Sequence, residues 1–104
     1  MALSVTLVTF GAAATQVAPA GSYVKKIIIE PVRGNTANMF VGNSSLTQTG
    51  SAGCITDLAK PGANTVVNDR LTVDAQGSDH NYDASDLWVW GTTGDTCKVT
   101  YWTF

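Results

Sequence analysis

Three consecutive isoleucines, Ile27, Ile28 and Ile29, sit at the centre of the run Tyr23–Val32, and turn residues close that run at both ends. Pro19-Ala20-Gly21-Ser22 precedes it and Gly34-Asn35-Thr36 follows it. β-Branched side chains lose freedom in a helix and pack well on a pleated surface. A short stretch of this kind, apolar on both faces, predicts a central strand buried from two sides. Pro31 limits its far end, because proline cannot donate to a ladder.

The rest of the chain repeats this pattern on a smaller scale. Ala2–Phe10 alternates, with Leu3, Val5 and Leu7 on one side, and Gln16–Ala18 reads as a short extension. Asn38–Gly42 predicts a third strand, ended by the turn Asn43-Ser44-Ser45. Thr47–Gly53 is polar and glycine-bearing, which predicts an exposed loop, and Cys54–Leu58 is a short strand stopped by Lys60-Pro61-Gly62. Asn64–Asp74 places Thr65, Val67, Leu71 and Val73 on one face and Asn68, Arg70 and Thr72 on the other, with Asp69 marking a bulge. Gln76–Ser85 predicts a polar loop, and Leu87–Trp90 with Cys97–Phe104 a terminal hairpin across Gly91–Thr96. No repeat, low-complexity tract or linker divides residues 1–104, so they form a single domain. The expected class is all-β: a β-sandwich or jelly-roll-like fold of about seven or eight short strands.

Charge narrows what such a domain does. Only 13% of residues are charged, with a single glutamate, Glu30, against about 25% charged in a typical soluble domain. A low-charge surface is a solubility hazard for a free monomer and less of one for a protein covered by neighbours. The balance therefore favours an obligate oligomer or an assembly component. With a net charge of −2 and no basic cluster beyond Lys25–Lys26, the electrostatic footprint of nucleic-acid binding is missing. No apolar run reaches the length of a membrane-spanning helix. Ala2–Ala20 has the apolar stretch and Ala-Pro-Ala of a signal peptide. It lacks a basic start, however, and Ser4, Thr6 and Thr9 interrupt it, so a strand and cytoplasmic synthesis are expected.

The aromatic surplus is concentrated near the C-terminal end. Alternation puts Cys97, Val99, Tyr101 and Thr103 on one face and Lys98, Thr100, Trp102 and Phe104 on the other. Leu87 and Val89 share one face, Trp88 and Trp90 the opposite one. A sandwich needs one apolar face per strand. Trp88, Trp90, Trp102 and Phe104 are therefore candidate interface residues, since together they would make a patch that a monomer should not leave in water. The alternatives are a core that uses both faces, a cap from the N-terminal segment, and aromatic stacking on sugar rings.

Cys54 and Cys97, the two cysteines, are a candidate disulfide between separate strands; the alternative is two buried free thiols. His80, the one histidine, lies in Ser78-Asp79-His80-Asn81-Tyr82-Asp83, with Asp86 nearby. The spacing matches no calcium loop, and asparagine and aspartate turn chemistry accounts for the same residues. Two cysteines with one histidine give no zinc signature. There is no nucleophile elbow, phosphate loop or dinucleotide fingerprint. No cofactor, metal or catalytic residue is expected, and the chain reads as a non-enzyme.

Several pieces in order resemble a family. They are Lys26-Ile27-Ile28-Ile29-Glu30, Asn38-Met39-Phe40-Val41-Gly42-Asn43-Ser44, Lys60-Pro61-Gly62-Ala63-Asn64-Thr65-Val66, Asp86-Leu87-Trp88-Val89-Trp90-Gly91 and Val99-Thr100-Tyr101. Together they resemble the small virion proteins of tailed bacteriophages, over roughly residues 23–104. The aromatic-heavy last strands and the two cysteines depart from that pattern. The resemblance implies a β-sandwich virion subunit, typically a capsid decoration or cement protein. It would bind the major capsid protein on the outside of the shell as a homotrimer. A neck, tail or head-fibre component is the nearest alternative, and a small carbohydrate-binding module the alternative of another class.

Overall fold

A computed structural model describes residues 2–61, 69–74 and 82–103. The strands are β1 (Ala2–Thr9), β2 (Thr15–Gln16), β3 (Tyr23–Pro31), β4 (Met39–Gly42), β5 (Cys54–Leu58), β6 (Leu71–Asp74), β7 (Tyr82–Asp83), β8 (Trp88–Trp90) and β9 (Thr96–Thr103). One 3₁₀ turn covers Ala84–Asp86. A long sheet has the order β1-β9-β3-β6, with β7 also beside β3, and a short sheet has the order β2-β8-β4-β5. Among the described residues every pairing is antiparallel: β1 with β9, β2 with β8, β3 with β6, β7 and β9, and β4 with β5 and β8. This nesting is a long hairpin rolled up across two sheets. It defines a jelly roll, with β6 and β7 sharing one strand position.

The two sheets meet through the inward row of each. Val24, Ile27, Ile29, Cys97 and Val99 come from the long sheet, and Met39, Val41, Leu58 and Val89 from the short one. Phe10 is buried at the end of β1, its ring against Gly91, so that a Cβ on Gly91 would stand 2.9 Å from it. β3 is central, as its isoleucines predict, but only Ile27 and Ile29 are fully buried. Ile28 is half-buried on the outer face, opposite Thr100 and Thr72. Turns form where expected: Ser22 N–H donates to Pro19 C=O (3.2 Å) around Gly21 (φ +82), and Leu46 N–H to Asn43 C=O (3.0 Å).

Four expectations are corrected. Leu87–Trp90 and Cys97–Phe104 are not a hairpin, because β8 lies in the short sheet and β9 in the long one. Their inward rows, Leu87 and Val89 against Cys97 and Val99, are stacked face to face across the core instead of side by side. The connection is an arch held from outside. Asp95, itself buried, accepts Thr36 N–H (3.0 Å), Thr36 Oγ1 (3.1 Å) and Ala37 N–H (3.2 Å) on its carboxylate.

The end of Gln76–Ser85 is not exposed loop. Tyr82–Asp83 pairs with β3, Ala84 and Ser85 are buried, and the Asp83 carboxylate caps the following turn by accepting from Ser85 N–H (3.0 Å) and Oγ (2.7 Å). Those bonds favour the charged form and hold the Asp83 carboxyl below its ordinary value. In Asn64–Asp74 the strand occupies Leu71–Asp74, with Leu71 and Val73 packed on the core. Thr65, Val67 and Asn68 lie outside the described residues.

Cys54 and Cys97 form no disulfide; both thiols are free. The folded topology explains why. Cys97 points into the core from the middle of the long sheet, whereas Cys54 is exposed at the start of the short sheet's edge strand. Burial pushes the Cys97 thiol up to about 12.

Candidate functional site

The most exposed large apolar side chains belong mainly to one strand. Leu3 is 59% exposed, Val5 58% and Leu7 63%, all on the outward face of β1. The pairing register extends this stripe inward across the sheet. Leu3 lies opposite Trp102 and then Lys26, Val5 opposite Thr100 and then Ile28, and Leu7 opposite Lys98 and then Glu30. The outer face of the long sheet therefore carries Leu3, Val5, Leu7, Ile28 and Trp102 as one apolar band.

Charges border the band. Lys26 Nζ lies 5.8 Å from the centre of the Trp102 ring, within the range of a cation–π contact. Lys98 Nζ reaches Glu30 Oε1 at 3.1 Å, and Arg70 approaches Glu30 Oε2 at 4.0 Å. Both cations are exposed while the shared Glu30 carboxylate is half-buried, and surface pairs add only about 0.2–1 kcal/mol. They therefore orient the margin of the face more than they stabilise the domain.

β1 is also the outermost strand of the sheet. Its other row, Ser4, Thr6 and Val8, faces inward, yet only Val8 reaches the core, and Thr6 is exposed. The strand thus stands partly clear of the sandwich, with apolar side chains on one side and, among the described residues, no strand paired along its outer edge.

The tryptophans do not form one patch. Trp102 is on the outer face of the long sheet, and Trp88 and Trp90 are on the outer face of the short one, at the opposite side of the sandwich. All three are half-buried. Trp90 packs on the core and donates Nε1–H to Gly11 C=O (2.9 Å), so it serves as a clamp on the chain after β1. Phe104 lies outside the described residues. A three-tryptophan platform for sugar stacking is therefore not assembled.

A shallow cleft beside the short sheet is lined by Asn38, Phe40, Gln48, Thr49, Lys60 and Thr92. Its polar groups already brace the surrounding loops. Gln48 Nε2 donates to Gly91 C=O (2.9 Å), and Asn38 Oδ1 accepts Lys60 N–H (3.0 Å). Gly50 packs against the Phe40 ring so closely that a side chain there would overlap it. Among the described residues no group of three or more His, Cys, Asp or Glu side chains stands close enough to share a cation. His80 and Asp79 lie outside the described residues. No helix is long and apolar enough to cross a membrane, which says nothing about strands.

No protein-family model matches this chain, and neither a curated protein nor a solved structure matches it. Sequence reasoning found the β1 alternation but not its consequence. Period two states that Leu3, Val5 and Leu7 share a face, without stating which face the core takes.

Proposed function

We propose that this protein is a virion structural protein of a tailed bacteriophage. It acts as a decoration (cement) protein that binds the outside of the major capsid protein shell and stabilises it as a homo-oligomer. The observation that carries the reading is the apolar band on the outer face of the long sheet, centred on the exposed Leu3, Val5 and Leu7. A chain with 13% charged residues and such a band has a surface suited to being covered. Jelly rolls occur among viral capsid domains and lectins, and a fold alone does not select between them. The ordered resemblance over residues 23–104 adds the phage class.

The work is done by burial. Each contact removes apolar surface from water, and many identical weak contacts over a symmetric shell add through multivalency. The role involves no catalytic step and no cofactor. Synthesis is in the host cytoplasm and the final location is the capsid exterior. The resemblance implies a homotrimer.

The test is the copy number in purified particles of the phage that encodes the chain, together with the heat stability of particles lacking it. A decoration protein is expected on the order of hundreds of copies per symmetric shell, with earlier heat disruption when it is missing. A copy number of about a dozen, the size of a cyclic ring, assigns the protein to a neck, tail or fibre. Absence from particles overturns the reading. The carbohydrate-binding alternative retains one support, the neighbouring Trp88 and Trp90 on one face of β8. Quenching of tryptophan fluorescence by oligosaccharides would favour it.

A further inference from the structure

We propose that β1 is a self-association edge. Two copies pair antiparallel through Ala2–Thr9 about a two-fold axis at Val5, which joins their long sheets into one continuous sheet. The inference goes beyond the virion reading and does not depend on it.

The backbone direction can be read from both sides of β9. Phe10 N–H donates to Asp95 C=O (2.9 Å) and Phe10 C=O accepts Gly94 N–H (3.0 Å), so Phe10 turns its polar groups toward β9. On the far side, Val32 N–H donates to Thr96 C=O (3.0 Å), so Thr96 faces β3 and Cys97 faces β1. Along an antiparallel strand the direction alternates with each residue. In β1, therefore, Ser4, Thr6 and Val8 bond to β9. Leu3, Val5 and Leu7 aim their N–H and C=O groups at the open edge. The residues with the exposed apolar side chains are also those whose backbone has no strand partner among the described residues.

The edge is self-complementary. A dyad at Val5 sets Val5 opposite Val5 of the second copy and Leu3 opposite Leu7 of the second copy, each in the narrow hydrogen-bonded arrangement. The axis runs perpendicular to the sheet, so both apolar stripes fall on the same outer face and become one. A dyad also places like beside like, and any charge near its centre would meet its own copy. Ala2–Thr9 contains no charged residue and no proline. Edge strands that stay unpaired usually carry a charge, a proline or a bulge, or are very short. β1 has eight residues and a register with β9 that runs without a shift.

The other edges do carry such features. β6 has four residues, and Thr72 and Asp74 form its outward row. β2 has two residues. β5 carries the exposed Asp57 and a register shift at its Gly42 end. The second copy is the occupant these features favour, since β1 fits its own duplicate without a repulsive contact. The contact makes pairs of chains, in place of the three copies around an axis that the resemblance implies.

Two variants isolate the edge. Val5→Pro removes an N–H that only the second copy uses, and Val5→Lys places two like charges across the dyad. Neither touches a bond to β9 or a buried side chain. Light scattering on the eluting wild-type protein should give twice the chain mass of 10.9 kDa, and both variants should elute as folded single chains with unchanged circular dichroism. Amide exchange supplies a second readout. The N–H groups of Leu3, Val5 and Leu7 should become protected as wild-type concentration rises, while those of Ser4, Thr6 and Val8 are protected throughout. A wild-type single chain at hundreds of micromolar, a trimer, or a dimer that survives both variants would overturn the proposal. Concentration-independent exchange at Leu3, Val5 and Leu7 would do the same.

Discussion

The long sheet has two edges, and they solve the edge problem differently. β1 and β6 both flank the same β9–β3 centre, and both contribute to the inward side: Val8 from one, Leu71 and Val73 from the other. Outward they diverge. β6 shows Thr72 and Asp74 to solvent and is preceded by the exposed Arg70, whereas β1 shows Leu3, Val5 and Leu7. Core packing constrains the inward row of each strand and leaves the outward row to other demands. The outward row is thus free to answer other demands, and this contrast is the ground on which self-association is proposed for β1 and not for β6.

That contrast can be tested in order of expected effect. The inward row should dominate stability. Ile27→Ala, at a fully buried position of β3, should cost ~2–5 kcal/mol in denaturant unfolding. Val5→Ala on the outward row of β1 should stay within about 0.5 kcal/mol at concentrations where the chain is single. Equal costs would mean that the outward stripe is part of the core energetics.

The arch between the sheets should come next. Asp95→Ala strips the acceptor from Thr36 and Ala37 N–H groups. A loss of about 1–3 kcal/mol is expected where partly buried donors are left unsatisfied, measurable as a lower denaturation midpoint with an unchanged slope.

The two thiols extend the same inside–outside comparison to chemistry. Cys54 is exposed and Cys97 buried, so a thiol reagent should modify Cys54 in the native protein and Cys97 only after unfolding. The Cys97 thiol is raised from an ordinary 9.0 to about 12, so the folded chain holds its proton where the unfolded chain has lost it. The resulting stability is complete below pH 9 and declines as pH rises toward 12. Melting temperatures across that window should fall more steeply for the wild type than for Cys97→Ala.

The smallest stability effect should come from moving β1's character onto β6. The pair Thr72→Leu and Asp74→Leu should change single-chain stability by less than about 0.5 kcal/mol, yet promote association through the second edge. If those leucines leave association unchanged, strand length rather than outward polarity keeps β6 unpaired.

Much of the fold was legible because local chemistry fixes it. Val99 and Cys97 alternate with Lys98 and Thr100, and the structure buries the first pair and half-exposes the second. Pro19–Ser22 and Asn43–Ser45 turn where their residue types demand. Partnership was less legible. Leu87–Trp90 and Cys97–Phe104 are neighbours in sequence with matching apolar rows, and such rows fit equally well side by side or across a core. Only tertiary contacts, including the Asp95 tie to Thr36, decide between them. The cysteine pair failed for the same reason, since spacing in sequence carries no distance between sheets. The β1 stripe was visible as a pattern, but its exposure depends on which face of the strand the short sheet covers, and the alternation alone leaves that open.

The rolled hairpin also sets an order in time. Its partners lie progressively farther apart along the chain, from β4 with β5, through β3 with β6 and β2 with β8, to β1 with β9. Closing a loop costs more entropy the longer it is, and each inner pairing shortens the effective loop for the next. Folding by this route zips from the β4–β5 tip outward and seats β9 between β1 and β3 as its closing act. During synthesis β1 leaves the ribosome before, and β9 after, every other described strand. Through that interval β1 lacks its partner β9, so the strand proposed to meet another chain is also the one that must wait longest for its place in its own.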